Sequence, residues 1–191
     1  MDSIMSWKKT SIKSYQLIAD IGEGLEPVDK GIWTLCALTG KPYEYYETIS
    51  IKELEKLLEK TVYLQTEPEG IAQRPIRIGW YWYSFTADKG ELLAHQFVAI
   101  QKLWESGYVA NLHTMLAYLT IKRNIFGFRV KIKNPVKEFE NRSELFRNKL
   151  SVHHALSHLL FFWTYYLRSL KTTLQYLEGQ VKARAKAGAG G

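Results

Sequence analysis

Apolar residues return at helical spacing over the C-terminal third of the chain: Leu145, Val152, Leu156, Leu159, Trp163, Leu167, Leu170, Leu174, Leu177 and Val181. From Val152 onward every step is three or four residues, which keeps one stripe on one helix face for about four heptads. The pattern predicts a single long helix from Ser143 to near Arg184. At about 1.5 Å per residue, such a helix is roughly 60 Å long. Between Leu156 and Leu167 the stripe is joined by Leu160, Phe161, Phe162, Tyr165 and Tyr166. An apolar circumference of that kind calls for burial all round. After Arg168 the outer face turns polar, leaving a narrow seam through Leu170, Leu174 and Leu177 that suits a protein partner.

Elsewhere the period is two. From Pro75 to Phe85, Ile76, Ile78, Trp80, Trp82 and Ser84 alternate with Arg77, Gly79, Tyr81, Tyr83 and Phe85. This predicts one strand, with Trp80 and Trp82 in the core beside the isoleucines. Tyr81, Tyr83 and Phe85 share a face with Arg77 and are candidates for a protein interface. Turn chemistry at 86–90 then predicts a returning strand over Glu91–Ile100. Phe126 to Lys133 alternates again, with Phe126, Phe128, Val130 and Ile132 against Gly127, Arg129, Lys131 and Lys133. Further strands are expected at Ser11–Ile21, Gly31–Leu38, Tyr43–Thr48 and Val62–Gln65. Helices are expected after Ser50, where Ser50 and Glu53 have capping-box spacing, and from Tyr108 to Lys122. A short helical stretch follows the break at Asn134-Pro135. The implied fold class is α+β: an antiparallel sheet of six or seven strands, packed by the long C-terminal helix and one further helix. Helices segregated from strands argue against a doubly wound parallel sheet.

A chain of 191 residues suits a single domain, taken here as residues 1–182, followed by a low-complexity basic and Gly/Ala tail at 183–191. The single cysteine, Cys36, excludes an intramolecular disulfide and fits a reducing compartment, the cytoplasm. The N-terminal residues lack the apolar run of a secretory signal. The uncharged run 150–167 carries His153, His154, His158 and two serines, and spanning a bilayer takes about 20 apolar residues. No membrane partner is expected.

Charge changes the picture more. The formal net charge is +7. Between Lys122 and Lys149 nine Lys or Arg stand against three Glu, so most of that excess lies in one stretch. Arg129, Lys131 and Lys133 on one strand face would space cations about 6.6 Å apart, a pitch that follows a phosphate backbone. With Lys122 and Arg123 they form the candidate nucleic-acid contact, for RNA or another polyanion. The same lysines would equally keep an exposed strand edge soluble. Phe126-Gly127-Phe128 resembles the aromatic centre of the RNA-recognition-motif strand, although Asn124, Ile125 and Arg129 depart from that pattern.

Catalytic signatures are absent from the sequence. Gly22-Glu23-Gly24 lacks the later glycine of a dinucleotide loop, and no phosphate-binding loop or nucleophile elbow occurs. His154 and His158 have metal-ligand spacing, but Ala155 stands where a metalloprotease helix carries its glutamate. No catalytic residue, metal or cofactor is expected.

Two stretches, Gly31-Ile-Trp-Thr-Leu-Cys-Ala-Leu-Thr-Gly40 and Trp82-Tyr-Ser-Phe-Thr-Ala-Asp-Lys-Gly-Glu-Leu-Leu93, resemble the small accessory subunit of type III-D CRISPR effector complexes. The resemblance covers about a quarter of the chain. It implies a non-catalytic subunit docked in an RNA-guided antiviral complex. The functional expectation is therefore a non-enzymatic subunit of a nucleoprotein assembly with other protein subunits as partners. The alternative is a protein-interaction or oligomerisation module with no nucleic-acid role.

Overall fold

The computed structural model describes residues 5–66, 75–85, 93–164 and 166. The chain divides into two compact units, Met1–Ser157 and His158–Gly191. The fold is α+β, as the pattern implies: the described residues hold an antiparallel sheet, several helices and a helix toward the C-terminus. Its balance is more helical than the alternation suggested. Among the described residues the sheet has three strands, β1 (Ile76–Ile78), β2 (Tyr81–Phe85) and β3 (Thr120–Arg123), in that spatial order.

The N-terminal strands expected from short apolar runs are helices. Residues Ile12–Ala19 form α1, started by Ser11, whose side chain accepts from the Ser14 amide. Pro27–Thr39 forms α2, with Pro27 in its first turn and Gly40 closing it in the left-handed region. That Pro-to-Gly span is a helix signature that outweighs the β-rich composition of Ile32 to Leu35. Tyr43–Glu47 is the short α3 after Pro42, and Ile51–Glu59 is α4, with the capping box of Ser50 and Glu53 in place. Val62–Gln65 is a 3₁₀ turn rather than a strand. Ile32, Leu35 and Tyr46 form a small core here, backed by Leu54, Leu57 and Leu58.

The aromatic run 75–85 is a hairpin, not one strand. Gly79-Trp80 is a two-residue turn that pairs Ile78 with Tyr81 and Ile76 with Tyr83. Gly79 has φ +61°, which L side chains adopt only under strain. The turn shifts the alternation by one, so Ile76 and Ile78 share a face with Tyr81, Tyr83 and Phe85. The expected return strand at 91–100 is α5 (Ala94–Glu105) over its described part. The helix expected over Tyr108–Lys122 stops at Tyr118 as α6, and β3 follows directly. β3 pairs Trp82 with Arg123 and Phe85 with Thr120.

α7 spans Pro135–Lys149 and packs along α6. It does not run into the C-terminal helix. Leu150 is extended (ψ 136°), and Ser151 makes a bridge with Ser11, the Val152 amide donating to the Thr10 carbonyl at 2.9 Å. Residues 152–164 are helical again. A Ser that caps a new helix explains the break that the unbroken stripe concealed. In the second unit, the Phe162 ring lies edge-on to Trp163 at 5.5 Å, and Leu160 is exposed, so the helix is not buried all round. The seam Leu170, Leu174 and Leu177 and the domain boundary expected at 182 lie outside the described residues. Among the described residues no helix is long and apolar enough to cross a membrane.

One buried polar node ties three helices together. The Gln16 amide on α1 donates to the Val109 and Ala110 carbonyls of α6 and lies 3.0 Å from His113 Nδ1. Its oxygen accepts from Arg147 Nε of α7 at 3.0 Å. Burial, reinforced by Arg147, pushes the His113 imidazole below its ordinary 6.5, against a smaller opposing effect of Glu144. An imidazole that resists protonation only when folded favours unfolding as the pH falls below 6.5. Stability is therefore full above 6.5 and declines below it. Urea midpoints at pH 7.5 and 5.5 should differ more for the native chain than for His113→Gln. Equal differences would remove His113 from the acid response.

Candidate functional site

The site is built where β3, the segment after it and the start of α7 meet. The Val130 amide donates to the Lys122 carbonyl at 3.1 Å, which lays residues 130–133 beside the open edge of β3. Asn134 then caps α7 by accepting from the Lys137 amide, and Pro135 occupies the first turn. Between them is a cleft of about 330 Å³. Lys122, Lys131, Lys133, Lys137 and Arg142 line it, with Val130, Ile132, Leu145 and Tyr83 as apolar wall and Glu138 as the one carboxylate among the described residues. The start of a 15-residue helix adds a partial positive charge at the same place.

The charges divide by depth. Lys131, Lys133 and Lys137 are exposed. Arg142 lies below them, with its side chain 11% exposed. It pairs with Glu138 at 3.4 Å and donates from Nη1 to the Thr120 carbonyl at 2.8 Å, while its buried Nε has no hydrogen-bond partner. Burial pulls the Arg142 guanidinium below its usual range, and Glu138 opposes that shift. Burial also pushes the Tyr83 hydroxyl up to about 12, with Glu138 adding to the rise. Glu138 is engaged by Arg142 rather than by the lysines of the rim.

Sequence reasoning reached part of this. Lys122, Lys131 and Lys133 are brought together in the cleft. Arg123 is not; its side chain lies on the opposite sheet face, donating from Nε to Ser84 Oγ at 2.7 Å and from Nη1 to the Gly127 carbonyl. Arg129 is not in the cleft lining; its backbone bridges Arg123 and its charge acts on Arg142, and Phe126–Lys133 is a turn and an extended edge rather than the expected basic strand. Lys137 and Arg142 were missed as site residues. The signal for them was the Asn134-Pro135 helix start, which places 138 and 142 one turn apart on the face toward β3.

The aromatic candidates also divide. Tyr81 is partly exposed, and Lys122 Nζ sits 3.9 Å over its ring. Tyr83 and Phe85 are 2% and 3% exposed, and Tyr83 packs edge-on against Phe146 of α7 at 5.0 Å. They are core, not interface. Trp80, expected in the core, is 78% exposed at the turn, and Trp82 carries Arg77 at 5.4 Å over its ring on the outer face. The phase shift at Gly79-Trp80 is the cause of both reversals.

His154 Nδ1 is 2.8 Å from Ser151 Oγ at the helix start. Among the described residues no group of three His, Cys, Asp or Glu could hold a metal ion. Among the described residues the cleft lining is rich in Lys and Arg donors and has no Ser, Cys or His. No protein-family model, curated protein or solved structure matches the chain.

Proposed function

We propose that the protein is a non-catalytic nucleic-acid-binding subunit of a nucleoprotein assembly, holding the phosphate backbone in the cleft between β3 and α7. The observation that carries this reading is the convergence of Lys122, Lys131, Lys133, Lys137 and Arg142 on one cleft whose only carboxylate among the described residues is already paired. Three exposed rim lysines, with the half-buried Lys122 beside them, match the repeating charge of a backbone better than the compact charge of a small anion. The lone cysteine fits a reducing compartment, and the reading places the protein in the cytoplasm. Membership of an RNA-guided CRISPR effector is a narrower form of the proposal. Its support is the resemblance of residues 31–40 and 82–93, and the first of these stretches lies on α2 rather than in a hairpin.

A salt titration tests the reading. Binding of a labelled oligonucleotide is measured by anisotropy from 25 to 300 mM KCl (about 25 to 300 mM spans the useful screening range). Four phosphate contacts give a slope of about −3 in log K against log salt for a single strand. No binding at the lowest salt, or a slope near zero, would remove the cleft from consideration as a backbone site.

A further inference from the structure

Both turns of the sheet leave it at the same end. β2 and β3 are antiparallel and pair Trp82 with Arg123, so the Gly79-Trp80 turn and the 124–128 turn both lie just past that pair. Together they expose Trp80 (78%), Phe126 (75%) and Phe128 (70%), with Ile125 beside them. The second turn is stiff. Asn124 Oδ1 accepts from the Phe126 and Phe128 amides at 3.0 Å each, and the Asn124 amide donates to the Phe128 carbonyl at 2.9 Å. Gly127 between the two rings has φ +82°, so the presentation of both depends on a glycine there.

The segments that carry these rings hold charge of one sign. Residues 75–85 and 120–134 contain Arg77, Lys122, Arg123, Arg129, Lys131 and Lys133 and no Asp or Glu. Lys122 joins the two regions, since it lines the cleft and also covers the Tyr81 ring next to Trp80. Protein–protein interfaces are depleted in Lys, whereas three of the six cations here are lysines. Flat aromatic faces on segments whose charged residues are all Lys or Arg complement a ligand with flat π surfaces and a continuous anionic backbone.

We infer that the ligand is single-stranded nucleic acid, with unpaired bases stacking on Phe126, Phe128 and Trp80 while its phosphates run toward the lysine cleft. This rests on the polyanion reading above and narrows it. A duplex hides its base faces and would gain nothing from these rings.

The test compares three probes by competition anisotropy: a 12-mer oligouridine (about one to three stacking footprints), the matching RNA duplex, and heparin, a polyanion without bases. Phe126→Ala/Phe128→Ala alters only exposed side chains, and circular dichroism confirms its fold. The expected result is tighter binding of the single strand than of the duplex by the native chain. In the double variant, single-strand affinity should fall about tenfold or more, with heparin affinity unchanged. An unchanged single-strand affinity in a folded variant, or a duplex that competes as well as the single strand, overturns the inference while heparin binding keeps the polyanion reading. Failure of all three probes overturns both. Loss of binding to phosphatidylserine vesicles in the double variant, with oligouridine affinity unchanged, would assign the rings to a lipid surface and overturn the inference.

Discussion

Reversing Lys131, Lys133 and Lys137 together to glutamate lowers affinity for a single-stranded oligonucleotide by at least about 100-fold at 0.1 M salt and brings the salt slope close to zero. Each residue supplies one exposed ammonium to the rim of the cleft, so each loss removes one released counterion and each glutamate adds repulsion. The fold should survive, because all three side chains are exposed, the Lys137 amide that Asn134 caps is backbone, and a glutamate suits the first turn of a helix. Net charge alone is the competing explanation. Reversing the exposed Lys30, Lys52 and Lys56 on α2 and α4 answers it, since either triple change lowers the formal charge from +7 to +1. The α2/α4 variant should bind within about threefold of the native chain, because charges more than a Debye length away are screened. If it binds as weakly as the cleft variant, long-range charge rather than the cleft explains the affinity.

Phe146→Ala should cost about 3–5 kcal/mol of folding stability, read from urea denaturation. Phe146 is 0% exposed and holds α7 to the sheet through Tyr83, which packs edge-on against it at 5.0 Å. Removing the ring leaves a cavity and forfeits the aromatic pair, and two effects of that kind add. The same contact sets the spacing of the cleft, with Lys122 on β3 and Lys137 and Arg142 on α7. Oligonucleotide affinity should therefore fall in Phe146→Ala even under conditions where the variant is fully folded. Phe146→Leu, which retains most of the volume, should cost about 1.5 kcal/mol or less. A loss below about 1 kcal/mol for the alanine variant would mean that α7 is not anchored to the sheet by this residue.

The site was legible where the chemistry is local. The excess of Lys and Arg after Lys122 stands in the sequence, and the capping pair Ser50 and Glu53 marked α4. The Asn134-Pro135 break marked the start of α7. What misled was short apolar runs: Ile32 to Leu35 and Tyr43 to Tyr46 have β-rich composition, but the capping signals at Pro27, Gly40 and Pro42 bracket helices. Composition ranks a residue in isolation, whereas a cap satisfies backbone groups that the whole helix would otherwise leave unpaired.

The sequence by itself determined the α+β class, the position of the basic stretch and the lack of any catalytic motif. Those properties depend on residue type and near neighbours, which the chain displays directly. Only the tertiary structure decided which cations meet. Lys122 and Arg123 are adjacent in sequence yet lie on opposite faces of the sheet, while Lys122 and Lys137 are 15 positions apart and share a cleft. It also decided which aromatics are buried, because one two-residue turn at Gly79-Trp80 shifts the alternation and exchanges the two faces. A strand has a period of two, so a single change of register reassigns every side chain along it, and only pairing with a neighbour fixes that register.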